Sequence, residues 1–96
     1  ATLTLTSNWG TGYCANVEVR NHDTVATSSW TVVLDAHESV IVNLWNGDAT
    51  QDGSTYAVEN MSYNGQVGPG ATTAFGFCAN KLGSAYSPEV VSASGG

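Results

Sequence analysis

In Tyr13-Cys14-Ala15-Asn16-Val17-Glu18-Val19-Arg20, the apolar Ala15, Val17 and Val19 alternate with Cys14, Asn16 and Glu18. Successive side chains of a strand point to opposite faces, so the first set faces inward and the second outward. The same period recurs on both sides. Thr2 to Ser7 puts Leu3 and Leu5 on one face, and Trp30, Val32 and Leu34 share another. Val40, Val42 and Leu44 do so in a fourth run, leaving Ile41, Asn43 and Trp45 on the opposite side. Tyr56 and Val58 carry a fifth run, Thr73, Phe75 and Phe77 a sixth, and Glu89 to Ser92 a last. No stretch sustains a 3.6-residue stripe, so helix is not expected. Turn formers separate the runs: Asn8 to Gly12, Asn21-His22-Asp23, Asn46-Gly47-Asp48, Asp52-Gly53, Asn64-Gly65, Gly68-Pro69-Gly70 and Ser87-Pro88. Short strands at this spacing predict an antiparallel β-sandwich of about seven to nine strands.

Ninety-six residues make one domain. The sandwich is expected over residues 1–92, with 93–96, small and flexible, opening a linker. The chain begins at Ala1 without a leader-like segment and reads as a mature module or a piece of a longer protein. Eight acids stand against Arg20 and Lys81, a net charge of −6. Two cations cannot neutralise a phosphate track or hold an anionic membrane surface, and no apolar run is long enough to span a bilayer. Nothing points beyond a monomer.

The two cysteines lack metal-ligand spacing and have no histidine near enough to complete a zinc set, so neither metal nor cofactor is expected. Cys14 and Cys78 fall on the outward phase of two different strands. If those strands are neighbours the cysteines can bridge, and a loop this long contributes roughly 4 kcal/mol. A structural disulfide and few lysines point to an extracellular protein. Catalysis is not expected. Asp23, Asp35, Asp48 and Asp52 fall in turns, and Glu18, Glu38, Glu59 and Glu89 on outer faces or strand ends, so no pair of carboxylates is set to flank a sugar. His22 and His37 lie in turn-like stretches without a nucleophile. Asn60-Met61-Ser62 is a formal glycosylation sequon.

The aromatic residues divide into two groups. Trp30, Phe75 and Phe77 share the phase of core residues. Trp9, flanked by Asn8 and Gly10, reads as a turn residue; Trp45 is on the polar phase of its run, and Tyr63 precedes an Asn-Gly turn. Three large rings at exposed positions make a patch. A flat ring covers the axial C–H face of a pyranose and leaves its equatorial hydroxyls wet, which contributes on the order of 1–2 kcal/mol per ring. Asn16 and Asn43 offer donors and acceptors for the hydroxyl rim. A neutral, repeating polysaccharide suits this pattern.

With these residues the chain resembles a family 2 carbohydrate-binding module, the β-sandwich modules joined to bacterial cellulases, xylanases and chitinases. The resemblance runs from about Leu3 to Pro88. Its landmarks are Asn8-Trp9-Gly10-Thr11-Gly12-Tyr13, Cys14-Ala15-Asn16-Val17, Ser29-Trp30-Thr31-Val32, Leu44-Trp45-Asn46, Tyr63-Asn64-Gly65, Pro69-Gly70 and Phe75-Gly76-Phe77. The fold expected is a sandwich of immunoglobulin-like jelly-roll or Greek-key type. The resemblance places a planar, cellulose-binding strip on Trp9, Trp45 and Tyr63, with Asn16 and Asn43 as polar contacts and Trp30 in the core. The family's third aromatic is usually Trp, and Tyr63 is a smaller platform. The xylan-binding branch carries an Arg where this chain has Gly12, which favours a flat Trp9 and crystalline cellulose. Many members join their termini by a disulfide, whereas here Cys14 and Cys78 are elsewhere. Cys78 takes a polar position of the strip and Ala74 another.

The expected function is therefore non-catalytic adsorption to insoluble β-1,4-linked polysaccharide, cellulose first and chitin as the alternative. It targets an appended glycoside hydrolase or other polysaccharide-active domain of a secreted enzyme. A protein-binding adhesion or structural sandwich, its aromatics contacting a partner, is the reading from a different class.

Overall fold

The computed structural model describes residues 1–95, which form eight strands and no helix. They are β1 (Thr2–Trp9), β2 (Gly12–Arg20), β3 (Trp30–Asp35), β4 (Ser39–Trp45), β5 (Gly47–Asp52), β6 (Thr55–Asn60), β7 (Thr72–Lys81) and β8 (Glu89–Gly95). Two four-stranded antiparallel sheets, β1-β2-β7-β4 and β5-β6-β3-β8, form a β-sandwich. Only the β1–β2 and β5–β6 hairpins stay within one sheet; every other connection crosses between them.

The period-2 runs meet in the core. Tyr13, Ala15, Val17, Phe75, Phe77 and Ala79 descend from one sheet onto Trp30, Val32, Leu34, Tyr56 and Val58 of the other, all buried. Each large apolar side chain covered in this way contributes about 1.5–3 kcal/mol. Trp30 stacks on Phe75 across the sheets, centroids 5.6 Å apart and planes 12° apart. The polar tips of the core aromatics find partners. Trp30 Nε1 donates to the Asn64 carbonyl at 2.8 Å, and the Tyr13 hydroxyl meets Ser39 Oγ at 2.7 Å. Burial raises the Tyr13 pKa. Cys14 and Cys78, directly opposite each other on β2 and β7, form the disulfide.

Four details depart from the sequence reading. Strand β5 lies where turns are expected, so Asp48 and Asp52 are strand residues paired with Glu59 and Thr55. It is an edge strand with almost every side chain exposed, and a strand that buries neither face needs no apolar alternation. Strand β8 continues through Ala93, Ser94 and Gly95, which pair with Val32, Thr31 and Trp30, where a linker is expected. Of that stretch, Gly96 lies outside the described residues. In β4, Ile41 and Leu44 pack against the core and Val42 is exposed, because the register slips between Ile41 and Asn43. Finally, Trp9 is the last residue of β1, paired with Gly12, and not a turn residue. The sequon is engaged by the fold: Asn60 Oδ1 accepts the Trp30 amide at 3.0 Å and its Nδ2 donates to the Met61 carbonyl at 2.9 Å.

Candidate functional site

The outer face of the β1-β2-β7-β4 sheet carries Trp9 and Trp45, two of the three aromatic residues that sequence singles out. Two slips in register bring Trp9 and Trp45 there. In β1, Leu3 and Leu5 stand opposite the inward Val17 and Ala15, but after the shift between Leu5 and Ser7 the pairs are Ser7 with Cys14 and Trp9 with Gly12. Strict alternation would carry Trp9 to the same side as Leu3; the extra residue turns it outward. In β4, Ile41 stands opposite the buried Ala79, and after the shift Asn43 pairs with Cys78 and Trp45 with Gly76. A β-bulge sets two residues against one and so exchanges the faces of everything beyond it. The two edge strands of the sheet each use one, and each delivers a tryptophan.

Both indoles then lie across the glycine paired with them. A β-carbon on Gly76 would stand 2.5 Å from Cζ2 of Trp45 and 2.6 Å from both Cε2 and Nε1. Three ring atoms at nearly one distance from that point mean that the ring presents its face to the sheet. On Gly12 a β-carbon would stand 2.9 Å from Cζ2 of Trp9 and 3.1 Å from Cε2. Glycine leaves room for an aromatic ring to cover the strand beside it. With their inner faces covered, Trp9 and Trp45 remain 46% and 43% exposed.

Register fixes their spacing. Gly12 pairs with Asn80, Cys14 with Cys78 and Asn16 with Gly76, so the Trp9 and Trp45 rows lie two outward rows apart. Four residues of strand separate them by about 13 Å. The intermediate row reads Ser7, Cys14, Cys78, Asn43. Tyr63 lies close to Trp45 along the chain's surface: its hydroxyl donates to Asn46 Oδ1 at 2.8 Å, and Asn46 directly follows Trp45. Asn46 has φ 61°, a left-handed conformation that asparagine tolerates, and its carbonyl accepts from Asn64 Nδ2 at 2.7 Å. Asn64 also closes the turn through Met61, whose amide donates to Asn64 Oδ1 at 2.7 Å. Tyr63, 67% exposed, thus sits on a turn tied both to β4 and, through Trp30 Nε1, to the core.

Asn16 and Asn43 are exposed on this face. Asn80, exposed in the Trp9 row, belongs with them, although sequence reading passed it over. Its signal was available, because inward Phe75 and Phe77 put Cys78 and Asn80 on the outward phase. By sequence Asn46 is a turn former and part of the Leu44-Trp45-Asn46 landmark, and its hold on Tyr63 is a contact that sequence does not show. Asn8 steadies the Trp9 end by donating from Nδ2 to the Tyr86 hydroxyl at 3.0 Å, and Lys81 Nζ stands 4.0 Å over the Tyr86 ring. The Asn8 hydrogen bond and the lysine charge lower the Tyr86 pKa.

Charged groups gather elsewhere. His37 Nε2 lies 3.5 Å from Asp35 and 3.7 Å from Glu89, and its Nδ1 meets the Ser87 carbonyl at 2.7 Å. This cluster joins the β3–β4 turn to the start of β8. Among the described residues, no group of three or more His, Cys, Asp or Glu side chains is placed to hold a metal.

Over residues 1–96 the chain matches the cellulose binding domain family, CBM_2. It belongs to that family. The module is 40% identical over 96 residues to Endoglucanase A of Thermobispora bispora, covering 98% of this chain and 21% of that enzyme. It is 36% identical over 85 residues to Chitinase C of Streptomyces lividans, covering 88% of this chain and 14% of the chitinase. Among solved structures it superposes on the chitin-binding domain of Chi18aC from Streptomyces coelicolor with a TM-score of 0.78. The identity there is 33%, over 99% of this chain and 89% of that domain. The chain thus spans about a fifth or less of those two curated relatives. What the module shares with these enzymes is a small carbohydrate-binding domain, and it is not itself a catalytic unit.

Proposed function

We propose that this module adsorbs to the flat face of crystalline cellulose through Trp9, Trp45 and Tyr63. Asn16, Asn43 and Asn80 reach the hydroxyls at the edge of the glucan chains. The observation that carries this reading is the pair of tryptophans laid across Gly12 and Gly76 on one face of one sheet. Flat rings cover the axial C–H face of successive sugars, and removing that apolar area from water drives adsorption. Gly12 beneath Trp9 supports a flat platform over the turned ring of a xylan binder. Chitin presents the same stacking face, and the likeness to a chitin-binding domain favours it as the second ligand.

The module holds an appended polysaccharide-active domain on its insoluble substrate, as a monomer joined through a linker, in a secreted enzyme. The disulfide fits that compartment. Pull-down on microcrystalline cellulose, chitin and xylan tests the site. Trp9→Ala, Trp45→Ala and Tyr63→Ala should each weaken retention on cellulose by roughly 5- to 30-fold, the equivalent of about 1–2 kcal/mol. Retention unchanged in all three would remove the assignment.

A further inference from the structure

Between the two tryptophan rows lies a row whose centre is neither aromatic nor polar. It reads Ser7, Cys14, Cys78, Asn43 across the four strands, and Cys14 and Cys78 are bonded to each other. We propose that the Cys14–Cys78 disulfide is itself a sugar-contacting element of the platform, the apolar floor of a subsite between Trp9 and Trp45. This rests on the cellulose-face reading above and specifies what fills its middle.

Three observations carry it. The first is position: both cysteines are on the outward phase, half-buried, in the row between the two rings. About 13 Å separates the Trp9 and Trp45 rows, which is longer than one pyranose, so a glucan chain spanning both rings must lay a sugar over the row between them. The second is height. A cysteine ends one atom beyond its β-carbon, and the two rings lie flat against glycine. The sulfurs therefore do not rise above the rings to prop a flat polymer away from them, as a longer side chain would.

The third is chemistry. A bonded sulfur pair has no proton to donate, packs as a small polarisable hydrophobe, and suits the axial C–H face of a sugar. Ser7 and Asn43 flank it, both exposed, with hydroxyl and amide groups for the equatorial rim. The row thus presents an apolar centre between two polar edges.

The test uses the intact module free in solution and adsorbed on microcrystalline cellulose, each treated with the water-soluble phosphine tris(2-carboxyethyl)phosphine. Freed thiols are counted by alkylation and mass spectrometry. Coverage of the sulfurs predicts reduction at least about fivefold slower in the adsorbed protein; equal rates overturn the inference. In parallel, the Cys14→Ala/Cys78→Ala double variant, assayed below its melting temperature, should bind cellulose about three- to fivefold more weakly. Wild-type binding by that variant also overturns the inference. If it does not fold, the reduction rates decide. Trp45→Ala separates this from the parent reading. Loss of binding in Trp45→Ala with an unprotected disulfide defeats the subsite alone, whereas full binding by Trp45→Ala defeats the cellulose face and the subsite with it.

Discussion

The hydroxyl of Tyr63 donates to Oδ1 of Asn46, 2.8 Å away, and so ties the most exposed of the three rings to the residue that follows Trp45. Asn46→Gly keeps the backbone carbonyl that accepts from Asn64 and suits the φ of 61°, while deleting the acceptor for Tyr63. One net hydrogen bond is worth about 1 kcal/mol, so cellulose binding should weaken by up to roughly fivefold with little change in melting temperature. Adsorption isotherms superimposing on wild type would show that Tyr63 needs no such anchor.

Gly76→Ala tests the ring that covers it. The added methyl would stand 2.5–2.6 Å from three atoms of Trp45, so the indole must lift off the sheet. The variant should lose cellulose retention nearly as Trp45→Ala does, and lose about 1–3 kcal/mol of stability. Gly10→Ala is the matched control, because nothing lies within 4 Å of its new carbon. Retention equal in both variants would mean that the flat seat of Trp45 is irrelevant.

Trp30 supports the fold, and its variants should separate stability from binding. Trp30→Ala should cost about 3–5 kcal/mol in urea unfolding. Trp30→Phe keeps a ring against Phe75 but leaves the Asn64 carbonyl without its indole donor, a loss of about 1–3 kcal/mol. The prediction fails if Trp30→Phe unfolds with the wild-type midpoint.

The pH dependence of stability should trace to the cluster around His37. The Ser87 carbonyl, then the carboxylates of Asp35 and Glu89, raise the His37 pKa above its ordinary 6.5. A raised folded-state value stabilises fully below 6.5, and the gain is lost as pH rises through the elevated pKa. Asp35 is lowered from 3.8, chiefly by the His37 amide, so its contribution is present above 3.8 and is lost as pH falls through the depressed value. Melting temperature should therefore be highest between these limits and decline modestly on either side. His37 is exposed and Asp35 only half-buried, which keeps the effect small. His37 has φ 52°, so His37→Asn is the suitable variant; it should abolish the alkaline decline. A decline of unchanged size would place the titration elsewhere.

Alternation by itself determined the sandwich, its core of Val17, Trp30, Val32, Leu34, Phe75 and Phe77, and the shared outward phase of Cys14 and Cys78. The reason is local: one buried face imposes period two wherever a strand lies on the core. The exposed β5 carried no such imprint, and the Ser- and Gly-rich end of β8 read as linker because its pairing with β3 is made at long range. The outward aim of Trp45 was legible beside Leu44 in its own run, and what the structure changed in β4 was Ile41, which turns inward across the register slip. The outward aim of Trp9 was decided by tertiary structure: it depends on one unpaired residue in β1, visible only against the register of β2. The seats beneath the rings are likewise contacts between strands, and no periodicity along a single strand records which glycine will lie under which indole.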